Sequence, residues 1–131
     1  MQTEKGLTED LRRIVGPDNV HEATEEDAVE GVEPDFVVEP GSVEEVSALM
    51  KLAAREGLAV APRGGGTKMH IGDPPRRLDL IVSTARMNEV LEHTPGDQIV
   101  RVAAGVKLED LQEYISSSDQ MLAIDPPESG A

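Results

Sequence analysis

Asp35-Phe36-Val37-Val38-Glu39-Pro40-Gly41-Ser42-Val43-Glu44-Glu45-Val46 opens the part of the chain that decides the fold, and Gly57-Leu58-Ala59-Val60-Ala61-Pro62-Arg63-Gly64-Gly65-Gly66-Thr67-Lys68 closes it. Residues 35–39 read as a short apolar strand stopped by Pro40-Gly41. Ser42 and Glu45 have the spacing of a capping box, and Val43, Val46, Leu49, Met50 and Ala53 recur at helical spacing up to the stop at Gly57. Leu58 to Ala61 is a second apolar strand. Strand, helix and strand with short joints form a βαβ unit whose strands run parallel. The three glycines then fall at the carboxyl end of a parallel strand, where open α/β sheets place their ligands.

Three consecutive glycines present a string of unobstructed N–H groups, the makings of a nest for an anion. Thr67 adds a hydroxyl, and Arg63 and Lys68 add positive charge. The simplest ligand is a phosphate or pyrophosphate. A Walker A loop does not fit, because Lys68 follows Thr67 and precedes Met69. Neither does the dinucleotide fingerprint, whose last glycine falls on Met69. Residues 69–75 have no helical period, so the loop leads into more loop. A plain glycine-rich surface turn is the alternative; the βαβ placement weighs toward binding.

Working outward, Leu7 to Val15 reads as an opening helix with Thr8 at its N-cap and Gly16-Pro17 at its end. Residues 21–33 are acidic and read as a connector with a solvated face. Beyond Pro75, Leu78 to Val82 is a strand. Residues 88–94 and 99–103 form an antiparallel hairpin around Pro95-Gly96-Asp97-Gln98. Gly105 ends the hairpin, Leu108, Leu111 and Ile115 mark a helix, and Met121 to Ile124 reads as a last short strand. The fold class is α+β: a small parallel βαβ subdomain followed by a mixed or antiparallel sheet with a helix. The expected divisions are 1–33, leader helix and acidic connector; 34–75, pyrophosphate-binding βαβ unit; and 76–131, the start of a second unit.

The 131 residues carry a formal net charge of −14, no cysteine, one Phe and one Tyr. That charge argues against nucleic acid or an anionic membrane as partner. No apolar run approaches the ~18 residues of a membrane span, and the N-terminus lacks a secretory apolar region, so a cytoplasmic location is expected. His21, His70 and His93 have no metal-ligand spacing, and no metal is expected. No nucleophile motif appears.

The Asp35-to-Pro40 strand, the Ser-Val-Glu-Glu-Val helix and Pro62-Arg63-Gly64-Gly65-Gly66-Thr67 together resemble the FAD-binding domain of the p-cresol methylhydroxylase/vanillyl-alcohol oxidase (PCMH-type) superfamily. Leu78-Asp79-Leu80, Ala103-Ala104-Gly105-Val106 and Asp125-Pro126-Pro127 agree with it. Within that superfamily the chain looks most like the glycolate oxidase flavin subunit and FAD-linked D-lactate dehydrogenases. The resemblance covers roughly residues 33–131.

It implies FAD as cofactor, contacted at Pro62, Arg63, Gly64, Gly65, Gly66, Thr67 and Lys68, with Gly72 and Pro127 also near it. Many members tether FAD through a histidine where this chain has Thr67, so a non-covalent flavin is implied; His70 does not match the tether position. The implied reaction is oxidation of a small 2-hydroxy acid of the glycolate or lactate type, with partner subunits. Gly130 and Ala131 would stand just before the family's second glycine cluster. The chain therefore reads as an N-terminal piece, with the substrate-facing and catalytic residues beyond it. Two other readings are a same-superfamily oxidase with another substrate, and a non-catalytic phosphate-binding or interaction module.

Overall fold

The computed structural model describes residues 3–127; Gly130 and Ala131 lie outside them. Helix α1 spans Glu4–Val15 and is capped by Thr3, whose hydroxyl accepts from Gly6 N. Thr8, the expected cap, instead lies inside the helix and donates to the Glu4 carbonyl. Strand β1 (Val20–Glu22) follows, then β2 (Phe36–Val38), helix α2 (Val43–Glu56) and β3 (Val60–Arg63). β4 (Leu80–Ser83), the hairpin β5 (Val90–Thr94) and β6 (Ile99–Val102), and helix α3 (Leu108–Ser116) complete the order.

Helix α2 follows its sequence signals closely. The Ser42 hydroxyl accepts from Glu45 N at 3.2 Å, while the Glu45 carboxylate reaches one residue further back, to Gly41 N at 2.7 Å. Gly57 ends the helix in the left-handed conformation, φ 67°, which glycine adopts without a Cβ clash. Its buried residues are Leu49, Leu52 and Ala53; Val43 and Met50, assigned to the apolar stripe from spacing, are exposed.

The main sheet has the order β1-β2-β4-β3, with β1 antiparallel and the other three parallel. β2 and β3 are parallel as the βαβ reading requires, but they are not neighbours. The crossover through α2 skips one position, and β4 fills it. The division expected between residues 75 and 76 thus runs through this sheet. Phe36, Val37, Val38, Leu80, Ile81 and Val82 are all buried. Runs buried on both faces belong at the centre of a parallel sheet, so β4's own composition fits its place.

Period-two alternation assigns the two faces. Phe36, Val38, Leu80 and Val82 pack with Leu11 and Val15 of α1 and Leu49 and Leu52 of α2. Val37, Ile81 and Leu78 point the other way, against Ala23, Val29, Val32 and Ala61. The acidic segment expected to be a solvated connector is therefore the second covering layer. It supplies edge strand β1, a Val29–Val32 bridge, and a one-turn helix over Glu25–Asp27. Its sparse apolar residues fill the one sheet face that carries no helix, while its carboxylates stay outside.

β3 is the other edge and contains Pro62. The carbonyls of Ala59 and Arg63 bond β4, so the odd positions face the sheet and the Pro62 nitrogen faces outward, the place an edge strand tolerates proline. β5 and β6 pair as expected, turning through Pro95–Asp97 with Gln98 in the left-handed region. Residues 121–124 form no strand. Gln112 takes both backbone groups of Leu122, accepting from its N–H at 2.9 Å and donating to its carbonyl at 2.7 Å, as a strand partner would. Among the described residues no helix is long and apolar enough to cross a membrane.

Candidate functional site

Two clefts open at the carboxyl ends of β3 and β4, one on each side of the glycine loop. The larger, about 630 Å³, is lined by Arg63 and Gly64 to Gly66, by residues 26–30 of the acidic segment, and by Met69, His70 and Lys107. The smaller, about 350 Å³, is lined by Thr67, Lys68, residues 104–108, Pro126 and Pro127. Gly64, Gly65, Ala85 and Lys107 face both. Together the clefts form one trough with the loop as its central ridge.

The loop is built to offer N–H groups. Among the described residues, the backbone N–H groups of Gly64, Gly65, Gly66 and Thr67 donate to no acceptor. The three glycines are exposed, a Cβ on Gly64 would meet nothing within 4 Å, and Gly66 holds φ +79°. Consecutive unpaired N–H groups on one exposed ridge are the chemistry of an anion cradle, and a diphosphate suits it. An FAD diphosphate fits these residues: the donors are unpaired, and the loop's three glycines are exposed and carry no side chain.

The other expected residues divide. Lys68 is brought to Pro127, donating to its carbonyl at 2.7 Å and to the Thr67 hydroxyl at 3.2 Å. That contact joins residues 59 positions apart in the smaller cleft. Pro62 and Gly72 line neither cleft. Arg63 lines the larger one, but its charge is not free for a ligand. Its guanidinium donates to Asp27 Oδ1 at 2.8 Å, and both side chains are mostly buried. The pairing with Arg63, helped by the Thr24 N–H, holds the Asp27 carboxyl below the ordinary 3.8.

Two residues escape the sequence reading. Asp27 sits in a Glu25-Glu26-Asp27 run that resembles ordinary surface charge. Its signal is Thr24 three residues earlier: Asp27 Oδ2 accepts from Thr24 N at 2.9 Å, and the two close a capping box. Lys107 precedes α3 at its N-cap position, where no side chain caps the helix. It faces both clefts and has no counter-ion among the described residues. Nothing in the sequence marks it out from other exposed lysines.

Gly105 fixes the wall opposite the loop. Its N–H donates to the Met87 carbonyl at 2.8 Å, and a Cβ there would overlap the Thr84 carbonyl oxygen and lie 2.9 Å from the Met87 oxygen. Thr84 ties the same wall to the loop: its N–H donates to the Arg63 carbonyl at 3.0 Å, and its hydroxyl stands between the Arg63 and Ala104 carbonyls, 3.5 and 3.3 Å away, able to share its one hydrogen with them. The histidines are occupied elsewhere or exposed. His93 pairs with Gln120, His21 with Glu39, and His70 stands exposed on the cleft rim.

Mitochondrial D-2-hydroxyglutarate dehydrogenase of Rattus norvegicus is 35% identical over 89 residues, 68% of this chain and 17% of that protein. D-lactate dehydrogenase of Archaeoglobus fulgidus is 38% identical over 77 residues, 59% of this chain and 17% of that protein. An uncharacterized FAD-linked oxidoreductase of Mycobacterium tuberculosis is 33% identical over 95 residues, 72% of this chain and 21% of that protein. The chain thus spans 17–21% of the length of these relatives.

Among solved structures, p-cresol methylhydroxylase with substrate bound superposes with a TM-score of 0.80 at 20% identity, covering 97% of this chain and 27% of that one. An alkyldihydroxyacetonephosphate synthase gives 0.79 at 22% identity, covering 95% and 29%. At such identities the likeness shows the fold. Residues 34–130 match the FAD binding domain, so the chain belongs to that family and its cofactor is FAD.

Proposed function

We propose that this chain is the FAD-binding part of a flavin-dependent oxidoreductase that oxidises a small 2-hydroxy acid, with the flavin held non-covalently. The observation that carries the reading is the run of four unpaired N–H groups, Gly64 to Thr67, at the carboxyl end of a parallel sheet. These N–H groups, with Lys107 beside them, would hold the FAD diphosphate; Lys68 and Pro127 would close the smaller cleft along it. When bound, FAD supplies the capacity to accept a hydride from a substrate carbon. The chain's own task is to bind and orient the cofactor, and no residue of it is assigned to the substrate.

Support for the substrate class comes from the names of relatives, D-2-hydroxyglutarate dehydrogenase and D-lactate dehydrogenase. Thr67 has no ring nitrogen with which to tether a flavin, which supports non-covalent binding. We also read the protein as cytoplasmic and as working with partner subunits.

Acid precipitation of the flavin-loaded protein tests the binding mode. The reading expects yellow supernatant and colourless pellet. Flavin retained in the pellet and lost in His70→Ala would mean a covalent link through His70. Turnover of D-lactate, glycolate and D-2-hydroxyglutarate with an artificial electron acceptor, by the whole oxidoreductase of which this chain is read as the FAD-binding part, tests the substrate class; activity on none of them overturns it.

A further inference from the structure

We propose that Asp27, outside the matched region 34–130, is a positioning residue for the cofactor: it fixes the Arg63 side chain, and through it the shape of the glycine loop. This rests on the FAD reading above. The links are all short. Thr24 locks the Asp27 carboxylate through its N–H at 2.9 Å, leaving Oδ1 to accept from Arg63 at 2.8 Å. The Arg63 stem then lies on the side of Gly66 that a side chain would take, its Cδ 3.6 Å and its Cγ 3.9 Å from where a Gly66 Cβ would stand. Arg63's backbone is anchored separately, by Thr84 at 3.0 Å. One arginine therefore connects the sheet, the acidic layer and the residue that turns the loop.

The pairing also decides what the loop recognises. A free guanidinium beside Gly64 to Gly66 would compete with the main chain for the diphosphate, or would swing to Glu26, Glu30 or Glu39, which line the same cleft. Asp27 removes that choice. The guanidinium is neutralised at the wall, and the ridge presents N–H groups in one arrangement. A preorganised set of donors binds more tightly than one that must be sorted on binding. The acidic segment is thus part of the cofactor site: residues 26–30 line the larger cleft, and Asp27 reaches the loop through Arg63.

The test is titration of FAD into the flavin-free full chain, followed by flavin fluorescence, for wild type, Asp27→Ala, Asp27→Glu, Arg63→Ala and the Asp27→Ala/Arg63→Ala double variant. Losing the charge-assisted bond should weaken FAD binding about tenfold in Asp27→Ala and in Arg63→Ala. Asp27→Glu should return to within about threefold of wild type, and the double variant should be no weaker than the weaker single, because the two side chains act as one unit. Should Asp27→Ala fail to fold, Asp27→Asn, which keeps the shape without the charge, carries the same comparison.

Wild-type affinity in the Asp27 variants overturns the inference. So does an unaffected Arg63→Ala, or a double variant showing the product of the two single losses. FAD uptake by neither this chain nor the whole oxidoreductase of which it is read as a part overturns the FAD reading itself, and this inference with it.

Discussion

The two sides of the trough are made differently. The side that carries the glycine loop is a four-stranded sheet whose central strands are buried on both faces, under α1 and α2 on one side and the acidic layer on the other. The side that carries Gly105, Lys107 and Pro127 is a two-stranded hairpin with one helix. There Leu91, Ile99 and Tyr114 are about half exposed, Met121 is 77% exposed, and α3 buries only Leu111 and Ile115. A lone hairpin is marginal in water, so this wall depends on its ties to the sheet. The loop is presented by a rigid platform, and the facing wall is held to it by a few hydrogen bonds, from Gly105 N to the Met87 carbonyl, from the Thr84 hydroxyl to the Ala104 carbonyl, and from Lys68 to the Pro127 carbonyl.

The sharpest way to break the contrast is at the tie itself. Gly105→Val forces a side chain into the Thr84 carbonyl and should cost on the order of 3–5 kcal/mol by denaturant unfolding, with FAD uptake lost. Next is the platform: Ile81→Ala, in the middle of β4 with no exposed surface, should cost about 3–4 kcal/mol. The same truncation on the hairpin is the control. Ile99→Ala, at a position 54% exposed, should change stability by less than about 0.5 kcal/mol. Comparable losses at Ile81 and Ile99 would erase the distinction. Amide exchange offers a mutation-free version: the β4 amides should outlast those of β5 and β6.

The smallest expected effect is a pH dependence. Asp27 has its carboxyl pKa depressed, by Arg63 first and the Thr24 N–H second. A depressed carboxyl gives stability that is complete above its unfolded value and disappears as pH falls through the folded one. The thermal midpoint of wild type should therefore exceed that of Asp27→Asn at neutral pH, and the gap should close only below the ordinary 3.8. A gap that persists unchanged in acid would mean that Asp27 acts through shape rather than charge.

Much of this was legible in the chain because the signals are local. Ser42, Glu45 and Gly57 bound α2 by hydrogen bonds within a turn of themselves. Pro95-Gly96-Asp97-Gln98 sets the hairpin, and the triple glycine announces its own exposed backbone. The errors lie where position depends on distant partners. β4 belongs between β2 and β3 because a crossover leaves a gap; its apolar run fits a central strand, but no residue of it says between which two. The acidic segment reads as solvated since only Ala23, Val29 and Val32 face inward, too few to give a period. Arg63 reads as a ligand for phosphate until Asp27, 36 residues earlier, is placed beside it. Residues 121–124 have strand composition, but a glutamine side chain stands in for the missing neighbour.

Pro62 has a consequence outside cofactor binding. An open sheet invites a second molecule to zip onto its rim, the first step toward fibrils. Here one rim carries a proline with its ring turned outward, and the other is a strand of three residues, Val20–Glu22, bearing a histidine and a glutamate. Neither margin offers an unbroken ladder for a stranger's backbone, so these parallel strands have no easy way to polymerise.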